Sequence, residues 1–150
     1  MRLDRAGIER LIPHSGEMCL LDEVLDWQAD LVRCRSFTHH SPTNPLRIGG
    51  RLRIVCGIEY AAQAMAVHAA LLAGDAAGQP RPGYLASVRA VRARAGSLDD
   101  VAGALLCQAR RVAATDGTAS YEFSIERETD ADDRVVLSGR ATVVLGGGAP

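Results

Sequence analysis

The spacing of hydrophobic and polar positions changes several times along the chain, and each change predicts an element. In "LDRAGIERLI", Leu3, Ile8 and Leu11 recur at roughly helical spacing, which predicts a short helix ended by Pro13. After a loop, "HSGEM", the stretches "MCLLDEVLDW" and "DLVRCRSFTH" read as two strands joined by a turn at residues 28–30. Alternation in the second is incomplete. Leu31, Arg33, Arg35 and Phe37 share one parity, and Val32, Cys34 and Ser36 the other. Residues 39–50, "HHSPTNPLRIGG", carry two prolines and a glycine pair, so they form a loop, and a long one of the kind that more often carries function.

A helix is then predicted over residues 52–73. It is apolar all round, which implies burial on nearly every side. "GDAAGQPRPG" breaks the chain. Four strands follow: "YLASVRAVRARA", "GALLCQARRVAA", "ASYEFSIERET" and "RVVLSGRATVVL". Asp116–Gly117 is the sharpest hairpin signal among the turns between them. A short helix, two strands, a long apolar helix and four more strands make an α+β domain whose sheet must curl over the long helix. The whole of 1–150 is expected to be one domain, with its first helix inside 1–13 and a frayed tail at 146–150.

Composition narrows the function classes. The chain is 47% hydrophobic and 23% charged, ordinary for a globular protein, and its formal net charge is −1. That balance gives no footprint for nucleic acid. Every one of the 17 basic residues is Arg, which reads as a compositional habit. Cys19, Cys34, Cys56 and Cys107 each sit among apolar residues without C-x-x-C spacing, so buried free thiols in a reducing compartment are expected. No metal site and no cofactor are expected from this set. The N-terminal stretch has no apolar signal region, and the long apolar run contains Glu59, Gln63 and His68, so a core helix is expected rather than a membrane span. The cytoplasm follows as the expected location.

Glu59 is the chemical question in that helix. On a helical wheel it shares a face with Leu52, Val55, Gln63, Ala66 and Ala70. Burial there would disfavour the ionised form, and a carboxylic acid kept neutral can donate a proton as a general acid. The alternative is a core ion pair with Arg89 or Arg92.

Three segments carry a resemblance. "LIPHSGEMCLLDEVLDW", "IEYAAQAMAVHAALL" and "YLASVRAVRARAGSLDD" are similar, in order, to the signatures of the 3-hydroxyacyl-acyl-carrier-protein dehydratases, over about residues 8–145. The first is closest to a divergent branch associated with aryl polyene pathways. The resemblance implies a hotdog fold, an antiparallel sheet of about five or six strands around one central helix. It also implies a dimer joined edge to edge through the strand after the helix, a homodimer as the first expectation and a heterodimer as the alternative. Glu59 falls on the family's catalytic acid and Gln63 on its helix glutamine. The family's base, a histidine in a G-H-F-P-G run, is missing, because Pro45 stands at that position. His14, His39 and His40 are the candidates to replace it, while His68, on the opposite helix face, is expected to be a packing or surface residue. Val55 stands where the family has the glycine whose amide polarises the thioester carbonyl. Gly49, Gly50 and Gly57 are the alternative donors.

The implied reaction is removal of water from a 3-hydroxyacyl thioester on acyl carrier protein, in fatty-acid or polyene-type synthesis. Arg47, Arg51, Arg53 and Arg94 are the expected rim for that acidic carrier. A hotdog acyl thioesterase and a catalytically degenerate acyl-binding subunit are the alternatives.

Overall fold

The computed structural model describes residues 2–74, 84–130 and 132–144. The chain break expected at "GDAAGQPRPG" and the tail expected to fray fall mostly outside these residues. Helix α1 (Arg5–Leu11) is started by Asp4, whose carboxylate accepts from the Gly7 amide at 2.9 Å. Strands β1 (Glu23–Gln28) and β2 (Leu31–Ser36) form a hairpin. Helix α2 (Gly57–Ala73) follows the long loop, and β3 (Tyr84–Ala93), β4 (Leu105–Thr115), β5 (Thr118–Arg127) and β6 (Val135–Val144) complete the sheet.

All pairings are antiparallel, in the order β1-β2-β4-β5-β6-β3. One face of the three central strands is the core wall. Val32 and Cys34 on β2, Leu105, Cys107 and Ala109 on β4, and Tyr121, Phe123 and Ile125 on β5 are all buried. Helix α2 lies across β4, β2 and β5. This is the hotdog arrangement of an antiparallel sheet curled round one helix. The β4–β5 hairpin turns at Asp116–Gly117, where Gly117 takes φ +80°, a conformation costly for any residue with a Cβ.

The helix starts later than its apolar pattern predicts. Leu52 accepts from the Leu98 amide at 2.8 Å, and Ile54 donates to the Gly96 carbonyl at 3.2 Å. These bonds hold residues 52–54 extended beside 96–98, so a 3-10 turn (Ile54–Cys56) intervenes before the α-helix. Gly57 then lets the helix approach the sheet. A Cβ there would lie 2.6 Å from Leu137 Cδ2 on β6 and 3.3 Å from Ile125 Cγ1 on β5.

Burial of α2 is one-sided, which corrects the expectation of a helix covered nearly all round. Tyr60, Ala61, Ala64, Met65, Val67 and His68 are buried towards the sheet. Ile58, Ala62, Ala66, Ala69 and Ala70 are only half-buried, and Val55 is 57% exposed. The run Ile54–Ala73 is apolar and long enough to cross a membrane, yet its buried side is part of the domain core. The open stripe is a helix face that the described residues leave only partly covered.

Candidate active site

The sequence placed Glu59 in an apolar interior; in the protomer it is exposed. The wheel groups it with apolar neighbours, but that group is the stripe turned away from the sheet. Among the described residues Glu59 makes no ion pair, so the Arg89 or Arg92 clamp is not formed. It stands in the first turn of α2.

Gln63, one turn further along, is buried and bonded at both ends. Its Oε1 accepts from the Leu20 amide at 2.8 Å, and its Nε2 donates to the Met18 carbonyl at 2.7 Å. With both ends so engaged, the side chain fastens the segment after His14 to the helix. His14 is half-buried on that segment, and its Nδ1 is enclosed without a hydrogen-bond partner.

A second polar network braces the same region. The buried Tyr60 hydroxyl lies 2.7 Å from Thr38 Oγ1 and accepts from Asn44 Nδ2 at 3.0 Å. Burial pushes the phenol up to about 12. Thr38 Oγ1 and Ser36 Oγ both donate to the Leu20 carbonyl, at 2.8 and 2.5 Å. Leu20 is therefore held through its carbonyl by Ser36 at the end of β2 and Thr38 just beyond it, and through its amide by Gln63. Sequence reasoning missed Tyr60, Thr38 and Asn44; a tyrosine directly after Glu59 in a helix of small residues was the available signal.

His39 and His40 point elsewhere. His39 is fully buried with Nε2 3.0 Å from the Val101 carbonyl, and His40 Nε2 lies 2.8 Å from the Gly103 carbonyl. Their rings are 3.8 Å apart. Burial, then the neighbouring His40, pushes His39 down to about 4. Both rings fasten the long loop to residues 101–103, so neither is presented with a free Nε2. His68 is a packing residue, as its helix face implies: it is buried, with Nδ1 2.7 Å from the Tyr121 hydroxyl and Nε2 2.8 Å from the Gln28 carbonyl.

The candidate amide donors separate by geometry. Gly57 N–H is already bonded to the Ile54 and Val55 carbonyls. Gly49 and Gly50, at φ +59° and +78°, form an exposed two-residue turn closed by reciprocal Ile48 and Arg51 bonds of 2.9 and 3.1 Å. The expected arginine rim also divides. Arg47 donates to the Ser41, Gly50 and His39 carbonyls and pairs with Asp99 at 3.5 Å, so it staples the loop from within. Arg51 pairs with Asp99 and Asp100. Arg53 and Arg94 are exposed and form no ion pair among the described residues.

Of the four cysteines, Cys19, Cys34 and Cys107 are buried, Cys56 is half-buried, and all are free thiols that burial pushes up. Such thiols are poor nucleophiles.

Comparison with solved structures finds the fold widely. The dehydratase heterocomplex ApeI:P from Xenorhabdus doucetiae matches with a TM-score of 0.80 at 22% identity, over 94% of this chain and 91% of that one. A mutant thioesterase from Staphylococcus aureus matches at 0.58 and 13% identity, over 83% and 92%. The PaaI protein of the E. coli phenylacetic acid degradation operon matches at 0.55 and 12% identity, over 84% and 80%. No curated protein matches the sequence. A family model described as ApeP-like, ApeP dehydratase, matches residues 6–146, nearly the whole chain. With the hotdog fold and Glu59 at the start of its central helix, this chain belongs to the ApeP-like dehydratase family.

Proposed function

We propose that the protein removes water from a 3-hydroxyacyl thioester presented on acyl carrier protein, with Glu59 as general acid and His14 as base. The observation that carries the reading is the Gln63 bridge. It fastens the segment following His14 to α2 one turn beyond Glu59, in a chain of a dehydratase family. His39 and His40 spend their Nε2 atoms on backbone carbonyls, which favours His14 among the three. A neutral imidazole takes the acidic proton from the carbon next to the thioester carbonyl. The electron pair forms the new double bond, the carbon–oxygen bond at the β-carbon breaks, and Glu59 protonates the departing hydroxyl to water. Each side chain supplies roughly 10²–10⁴-fold in rate.

Glu59 is exposed in one chain, so a second chain must supply the cover that keeps it protonated and excludes water. The half-buried stripe of α2 and the ten-residue edge strand β3 are the surfaces that such a chain would meet. A hotdog partner fits both, either a second copy or a distinct subunit. The solved relative named a heterocomplex favours testing the second. Of the four rim arginines, Arg53 and Arg94 remain exposed and unpaired among the described residues, and these two would meet an acidic carrier in the cytoplasm.

The test presents the purified protein, alone and with its partner, with 3-hydroxyacyl carrier protein and with a saturated acyl thioester, following products by mass. Loss of water supports the proposal. Release of free thiol supports a thioesterase, and neither product supports a subunit that only binds acyl groups. Glu59→Gln should lower dehydration by about 10²–10⁴-fold while leaving the stability of the single chain, in which the side chain is exposed, within about 0.5 kcal/mol. Undiminished turnover in that variant removes Glu59 from the mechanism.

A further inference from the structure

Strand β3 is irregular at two places against β6, between Leu85 and Ser87 and between Arg89 and Arg92, and the second is the sharper. Between Arg89 and Arg92 its register with β6 shifts, so that Ala90 and Val91 together stand opposite Gly139. Ala90 takes φ +56°, the left-handed region that a residue with a Cβ enters at a cost. Bulges of this kind re-aim side chains and are common beside active sites. Here the side chain re-aimed is Val91. A Cβ on Gly139 would lie 3.3 Å from Val91 Cγ2 and 2.8 Å from Phe123 Cζ, so both side chains converge over that glycine on the inner face of the sheet. Phe123 is buried there, whereas Val91 is 42% exposed.

The position of this pair links it to the site. Leu137, two residues before Gly139 on β6, is the side chain against Gly57 at the start of α2. Two residues of strand span about 7 Å. The Val91–Phe123 surface therefore begins about one side chain away from the helix turn that bears Glu59. Helix α2 lies across β4, β2 and β5, leaving the inner face at β3 beyond it. A partner strand added to the edge of β3 would bond in the plane of the sheet and would not by itself cover an inner-face side chain.

Resting on the dehydratase reading, we propose that Val91, turned inward by the Ala90 bulge over Gly139 and Phe123, is the side chain that sets the width of acyl group the site accepts. The occupant is the acyl chain of the substrate, running from the reacting carbons at Glu59 across Val91.

The experiment compares pantetheine thioesters of a narrow acyl group, 3-hydroxybutyryl, and a wide one, 3-hydroxy-5-phenylpentanoyl, for the full-length wild type, Val91→Phe and Val91→Ala. The ratio of kcat/KM, wide over narrow, should fall about tenfold or more in Val91→Phe and rise in Val91→Ala. The same ratio is read as Kd for the saturated thioesters by calorimetry, so a chain that binds without dehydrating sinks the dehydratase reading, while the Kd ratio in the two variants still decides this inference. A ratio unmoved in both variants overturns the proposal. So does a change in oligomeric state that weakens both ligands equally, which would assign Val91 to a partner interface. Should Val91→Phe fail to fold, Val91→Ala alone decides by the same ratio.

Discussion

Replacing Gln63 separates its hydrogen bonds from its volume. The Leu20 amide that it receives is buried, so Gln63→Leu orphans that donor at a cost of about 1–3 kcal/mol. The bond to the Met18 carbonyl contributes about 1 kcal/mol more, since that carbonyl is partly open to water. Together the loss is about 2–4 kcal/mol at nearly unchanged apolar bulk. Gln63→Glu gives the sharper test. A protonated carboxyl can donate to Met18 and accept from Leu20, but an ionised one sets a second acceptor against the Met18 carbonyl. The folded state therefore raises the titration point of the new acid above its unfolded value, near 4.3. Its stabilising form is fully present below that value and is lost as pH rises through the folded one. Urea unfolding of wild type and variant between about pH 4 and pH 8 should show a stability gap that is small in acid and widens towards neutrality. The other titrating groups cancel in the difference. A gap that stays flat with pH, or a Gln63→Leu loss below about 0.5 kcal/mol, would falsify the account of Gln63 as a fastener of the His14 segment.

The remaining predictions concern neighbouring groups. His39 is held near 4 when folded and titrates near 6.5 when unfolded, so its stabilising contribution is complete above the unfolded value and is lost as pH falls from about 6.5 to 4. The loss is at most about 3 kcal/mol, and His39→Asn should flatten that part of the urea midpoint against pH; an unchanged slope contradicts it. Tyr60→Phe removes the hydroxyl shared by Thr38 and Asn44 and should cost about 1–3 kcal/mol in denaturant unfolding. A loss no larger than that of an average surface change would show that water replaces it. Arg53→Glu with Arg94→Glu should raise KM for the carrier-bound substrate with little change in kcat, and the effect should shrink as salt increases. An equal rise for the pantetheine thioester, which has no acidic carrier, would refute a docking role.

Much of the architecture was legible because it rests on local periodicity and turn chemistry. The β4–β5 hairpin follows from Asp116–Gly117, and the central helix follows from a long apolar run. The start of that helix was misplaced because Leu52 and Ile54 pair with residues some 44 positions away, at 98 and 96. The outward turn of Glu59 in the single chain was hidden for a related reason. A wheel shows which residues share a face, but only the sheet order shows that α2 turns this one outward. The role of Gln63 as a fastener was equally hidden, since its partners lie 43 and 45 residues earlier in the chain. His39 and His40 were attractive as a base because two imidazoles in a long loop suggest chemistry. Their use as backbone anchors depends on the Val101 and Gly103 carbonyls, which no spacing rule brings near.

The irregularity at Ala90 also bears on how two chains could recognise one another. With two residues set against one of β6, the outward-facing amides and carbonyls of β3 fall out of step at that point. A newcomer can match the ladder on one side of Ala90 or bend to follow it, but it cannot slide by a pair of residues and fit equally well. Misaligned self-association along an exposed edge is thereby discouraged by backbone geometry, alongside the charges of Arg89 and Arg92 that flank the bulge.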